Sequence, residues 1–158
     1  MIKENKTFQL ILCLFIPLLI GGIGGIATAG SIDGWYLHLN KPSFNPPNYL
    51  FGPVWTFLYL MMGVSFFMIL QKPKDKYYKK SVIVFCVQLF LNFWWSFLFF
   101  KFQMLGIALI EIVLIWLSIL TMIIVFYKIN RFAALLQIPY LLWVSFASVL
   151  NASIWWLN

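Results

Sequence analysis

The residues that could do chemistry in this chain are aromatic rings and neutral amides, repeated at helical spacing. Gln88, Asn92, Trp95 and Phe99 follow one another at intervals of 4, 3 and 4, so they share one face of a helix. Tyr140, Trp143, Ala147, Leu150 and Asn151 do the same, with Phe146 beside them, and Trp55, Tyr59 and Met62 form a third stripe. Nucleophilic or metal chemistry finds no support. The one histidine, His38, and the two cysteines, Cys13 and Cys86, are far apart in sequence, and neither a metal-ligand cluster nor a Ser/His/Asp set can be drawn. No metal and no cofactor is expected. What such stripes can do is hold a flat apolar molecule between rings and orient its polar edge with Gln88, Asn92, Tyr140 and Asn151. The same pattern also fits amides bonding helix to helix, and tryptophans forming a belt at the membrane interface.

The elements that must position these stripes follow from composition. Of 158 residues, 63% are hydrophobic and 9% charged, and the mean hydropathy is +0.93. A water-soluble domain carries roughly 25% charged residues, so the solvent here is lipid and the spans are helices. At about 20 residues per span, the length allows five or six helices in one domain over 1–158. The pattern predicts helices at about 8–30, 53–70, 81–100, 104–127 and 132–156. Ala27-Thr28-Ala29 imitates a signal-peptide cleavage site. The apolar run before it is longer than a signal core, so it is read as a span. Pro17 and Pro139 are expected to bend the first and fifth helices, and Pro53 to sit in the first turn of the second. Gly21, Gly25 and Ala29 recur every fourth residue, which permits close approach of a neighbouring helix.

Residues 31–52 interrupt the apolar pattern and carry Pro42, Pro46 and Pro47, with Pro53 just beyond. A short helical turn is expected near Trp35–Leu39, with Asp33 as its cap, and the segment reads as a stiff lid over the bundle. Nine of the eleven cations fall on the N-terminal side of a five-span topology: Lys3, Lys6, Lys72, Lys74, Lys76, Lys79, Lys80, Lys128 and Arg131. Lys41 and Lys101 fall on the other. This bias predicts a cytoplasmic N-terminus and accounts for the net charge of +7 without nucleic acid. Glu111, the one acid well inside a span, is either functional or a protonated group facing another helix. Val125, Tyr127 and Arg131 match a short pattern proposed for sterol contact, one that also arises by chance.

Four stretches in order, W-Y-L-H-L-N-K-P-S-F-N-P-P, G-P-V-W-T-F-L-Y, Q-L-F-L-N-F-W-W-S-F-L-F-F and P-Y-L-L-W-V-S-F-A-S-V-L-N, resemble the translocator protein family. That family includes the bacterial tryptophan-rich sensory proteins and the peripheral-type benzodiazepine receptor. The resemblance covers nearly the whole chain. It implies an all-α membrane bundle of five helices, often a homodimer, with the first loop closing a pocket. It implies ligands of porphyrin or haem-like type, synthetic isoquinoline carboxamides and benzodiazepines, and sterols. Carried onto matching positions, the pocket would include Tyr36, Pro46, Pro47, Trp55, Asn92, Trp95, Trp143, Phe146, Ala147 and Leu150. The helical stripes add Tyr59, Gln88 and Asn151. Some bacterial members are implied to degrade protoporphyrin in light and oxygen, and Trp55 and Trp143 match the tryptophans of that activity. A purely structural or assembly role is the third reading. The animal sterol motif places a Tyr after the final L-N and an Arg at the end, where this chain has Ala152 and no Arg. The third-helix G-x-x-x-G of animal members also has no counterpart. Short ends and a Lys-, Ile- and Phe-rich composition suggest a bacterial cell membrane.

Overall fold

The structure, a computed structural model, describes residues 5–158. Lys3 and Glu4 of the expected charged head lie outside the described residues. Among those described, all regular structure is helical: α1 (Lys6–Ile32), α2 (Trp35–His38), α3 (Asn48–Leu70), α4 (Tyr78–Ser96), α5 (Leu105–Tyr127), α6 (Arg131–Leu135) and α7 (Ile138–Leu157), with a π-helical turn at Phe97–Lys101 after α4. Five stretches are long and apolar enough to cross a membrane, the third being α4 with its π-turn and the fifth α6 with α7. This is a multi-span, all-α membrane bundle.

Local chemistry explains the boundaries. Asn5 caps α1, its Oδ1 accepting from the amides of Thr7 and Phe8 at 3.1 and 3.5 Å. The helix then runs unbroken through Pro17. Asp33 is not the cap of the short second helix. It closes α1, and Gly34 precedes α2 without a side-chain cap. The second span starts at Asn48, five residues before the expected Pro53, because Pro47 (φ −57°, ψ 141°) hands an extended chain directly into a helix. Pro53 therefore lies inside α3, and the lid proper is shorter than 31–52.

The fifth span is broken rather than bent. Pro139 has no N–H to give the Leu135 carbonyl and its ring crowds that carbonyl, so the chain turns at Leu136–Gln137 and α7 restarts with Pro139 in its first turn. The tight turn expected at Lys101–Gln103 is present, with Gln103 at φ 58°, and α4 and α5 pack side by side. The sequence pattern gave no warning of the π-turn before it. Phe102 N donates to Phe97 O at 2.8 Å and Met104 N to Leu98 O at 2.9 Å. The loosened turn leaves the Phe100 carbonyl to accept from Ser31 Oγ at 2.9 Å, tying the end of α1 to the end of α4.

Candidate functional site

The three predicted stripes converge. A cavity of about 490 Å³ lies between α1, α3, α4 and α7 and below α2. Trp55 and Tyr59 come from α3, Asn92 and Trp95 from α4, and Trp143, Ala147, Leu150 and Asn151 from α7, and Tyr36 reaches it from α2. Phe99 and Phe100 join them through the π-turn. The lining holds no Lys, Arg, His, Asp or Glu. The walls are therefore aromatic faces with a few neutral polar atoms, a composition suited to a flat apolar guest.

The floor is a chain of buried hydrogen bonds. Tyr59 Oη donates to Asn92 Oδ1. Asn92 Nδ2 donates to Tyr140 Oη at 2.8 Å, Tyr140 Oη to Gln88 Oε1 at 3.0 Å, and Gln88 Nε2 to Met62 Sδ at 3.0 Å. Each group is buried, so each bond offsets a desolvation cost that an unpaired group would leave uncompensated. The relay also sets ring positions. The fixed Tyr59 ring stacks on Trp55 with centroids 5.5 Å apart, and Tyr140 meets Trp55 edge-on at 6.1 Å. Trp95 is held by Nε1 donating to Asn151 Oδ1 at 3.3 Å, and its ring stacks on Phe99 at 5.2 Å. Trp143 differs: its buried Nε1 has no partner among the described residues. No hydrogen bond fixes that indole, and Ala147 one turn on leaves room beside it.

Five predicted site residues stand outside the wall. Gln88 and its partner Tyr140 lie beneath the floor, because the polar stripe of α4 is longer than the cavity is deep. Phe146 stands behind Trp143, centroids 5.5 Å apart, and packs on Phe44 of the lid. Pro46 and Pro47 shape the lid and the start of α3 but do not line the cavity. Most of the α1 wall lies outside the predicted stripes: Gly21, Gly22, Gly24, Gly25 and Thr28 all line the cavity. The glycine run was the available signal. Gly21 does serve close approach, since a side chain there would run into the Tyr59 ring, but Gly25 touches nothing within 4 Å. Glu111 is half-buried on α5, away from the cavity, and His38 is exposed.

The lid is held at its edges. The buried Tyr36 hydroxyl donates to Asn45 Oδ1 at 3.0 Å, and burial pushes this phenol above its usual range. Lys41 Nζ lies 4.7 Å from the centre of the Tyr36 ring. Asn40 N donates to Asn158 Oδ1 at 2.9 Å, Asn158 Nδ2 returns a bond to Asn40 O at 2.9 Å, and Asn40 Nδ2 donates to Leu157 O at 3.3 Å.

Fold and site together define a five-span membrane protein with an internal, aromatic, uncharged chamber closed by its first loop. A model of the TspO/MBR family matches residues 13–157, and the chain belongs to that family. It is similar to the tryptophan-rich protein TspO of Chlorobaculum tepidum, at 41% identity over 98% of this chain and 99% of that protein. It is similar to the tryptophan-rich sensory protein of Cereibacter sphaeroides, at 31% identity over 87% of each chain. The human translocator protein is 34% identical over 77% of this chain and 73% of its own.

Proposed function

We propose that the chain is a membrane receptor or carrier that holds flat, largely apolar ligands in this chamber, porphyrins and isoquinoline carboxamides being the fitting classes. One observation carries the reading: three tryptophans from three helices, Trp55, Trp95 and Trp143, line one uncharged cavity whose volume of about 490 Å³ suits a ligand of drug or tetrapyrrole size. Charged substituents of such a ligand have to stay at the rim, because the wall offers them no partner. The charge bias supports an orientation with the N-terminus in the cytoplasm, and the bacterial relatives support a bacterial cell membrane.

Titrating the reconstituted protein with protoporphyrin IX, read by the Soret band, is expected to saturate. Trp55→Phe combined with Trp143→Phe should weaken binding about tenfold, since stacked aromatic pairs contribute about 0.5–1.5 kcal/mol each. Unaltered affinity in the double variant would rule out this chamber as the site.

A second reading is favoured by the stacking of Trp55 on Tyr59. The Trp55 indole would lend an electron to the photo-excited porphyrin, the reduced ring would pass it to dioxygen, and the indole would recover it from the ring. The superoxide formed then adds to the ring's radical cation, and both oxygen atoms end in the product. Tyr59, stacked on Trp55, helps spread the indole's transient positive charge. Illumination should then yield a new absorbing product that Trp55→Phe and Trp143→Phe each abolish. Equal bleaching by variant and parent leaves the protein a container.

A further inference from the structure

The chamber is closed above and open at one side. α1 and α3 touch where Gly63 lies against the backbone of Cys13 and Leu14, and again where Gly21 lies against the Tyr59 ring. Towards the lid they part. Gly22 and Gly25 on α1 and Gly52 on α3 all line the chamber and are exposed, yet an added Cβ at any of them would meet nothing within 4 Å. The other flank of α1 is sealed by Gly24 against Ser96 and by Ser31 bonded to Phe100 O. The roof is latched by the three Asn40–Asn158–Leu157 bonds.

The three open glycines have no backbone or packing reason to be glycine. None has a positive φ and none is crowded. Each costs a helix about 1 kcal/mol relative to alanine. What their bareness does achieve is a gap in the wall at the level of Trp55, in the lid-side leaflet.

We infer that ligand enters and leaves sideways, from the lid-side leaflet of the bilayer, through the slot between Gly22/Gly25 of α1 and Gly52/Thr56 of α3, while the lid stays shut. This rests on the receptor reading above and narrows its ligands to molecules that dissolve in lipid and pass edge-on without a buried charge. The uncharged wall and the lateral slot impose the same selection.

The test uses the full chain in phosphatidylcholine–phosphatidylglycerol vesicles, with the neutral dimethyl ester of protoporphyrin IX as probe. Loading and release are timed by tryptophan quenching. Joining Asn40→Cys to Asn158→Cys by a disulfide should leave both rates within about twofold of the parent. Filling the slot with Gly22→Leu plus Gly52→Leu should slow loading and release by about tenfold or more. Gly25→Leu, at a position with open space, is the second variant should the double one fold poorly. For the parent, loading should follow the mole fraction of probe in the bilayer, so that adding empty lipid at constant probe slows it. Loading abolished by the latch disulfide, or slot-filled variants loading at the parental rate, overturns lateral entry while leaving the receptor reading standing. No saturable binding by the parent removes both.

Discussion

Gly63 of α3 lies against the carbonyl of Cys13 in α1, the carbonyl that Pro17 leaves without its helical donor. A methyl group on Gly63 would stand 2.5 Å from that oxygen and 3.0 Å from the Leu14 Cα. One substitution in each helix thus makes the contact: proline removes the N–H four residues on, and glycine lets the partner backbone approach the exposed oxygen. Gly63→Ala should therefore destabilise the bundle by about 1–3 kcal/mol, the usual cost of forcing a methyl into a packed site. Gly25→Ala, with no neighbour to meet, should raise stability by up to about 1 kcal/mol through helix propensity. Thermal unfolding in detergent, read by circular dichroism, checks both. Equal midpoints for the two variants would show that α1 is not seated on α3 in this way.

The floor relay gives a second prediction. Asn92 receives from Tyr59 and donates to Tyr140, so Asn92→Leu leaves two buried hydroxyls each short of a partner. The expected loss is about 2–6 kcal/mol, from about 1–3 kcal/mol per orphaned group. Tyr59→Phe removes one donor and leaves Asn92 still bonded to Tyr140, so its cost should be about 1 kcal/mol. Tyr59→Phe should also loosen Trp55, visible as a change in the near-ultraviolet dichroism of its indole. A relay of no energetic consequence would show Asn92→Leu unfolding together with the parent.

How much of this was legible in the sequence follows from which signals are local. Helical stripes depend only on spacing, so the five spans and the stripes that carry Trp55, Trp95 and Trp143 were readable, whereas their meeting around one cavity was not. The depth of each stripe was not. Gln88 and Asn92 are one turn apart on the same face, yet one lies under the floor and the other in the wall, because depth depends on where α3 and α7 cross α4. Proline effects were readable in kind but not in place: Pro139 breaks the fifth span upstream of itself, and Pro47 rather than Pro53 starts the second. The π-turn at Phe97–Lys101 has no breaker residue to announce it. It becomes visible only once Ser31 and the Phe100 carbonyl are seen together.

The lid should carry its own pH dependence. Tyr36 is buried and its phenol is held above the usual range, so the folded lid prefers the neutral form. Its contribution is complete below the ordinary tyrosine value of about 10 and declines as pH rises beyond it, because the open lid ionises first. Lys41 Nζ lies 4.7 Å from the Tyr36 ring centre, and this cation–π contact adds to the hold on the closed lid. Protection of the amides in residues 33–47 against hydrogen exchange, taken relative to the open-chain rate at the same pH, should fall above about pH 10 in the parent. In Tyr36→Phe it should already be lower at neutral pH, for want of the Asn45 bond, and less pH-dependent. A parallel pH response in both proteins would show that Tyr36 is not its source.

Gln137 supplies the last test, at the break between α6 and α7. The residue is fully buried, and neither its Oε1 nor its Nε2 has a partner among the described residues. Around it the chain is otherwise satisfied: Gln137 N donates to Ala134 O, Leu141 N donates to Gln137 O, and Ser65 Oγ donates to Ala133 O at 2.7 Å. An amide desolvated without compensation costs about 1–3 kcal/mol, and a methionine fills similar volume with no such debt. Gln137→Met should therefore stabilise the protein by roughly that amount, with the parental spectrum retained. Gln137→Ala should destabilise, because it leaves a cavity in a packed region. If Gln137→Met instead lowers the midpoint as far as Gln137→Ala does, the amide is bonded in the membrane-embedded protein, most simply to a water enclosed at the helix break.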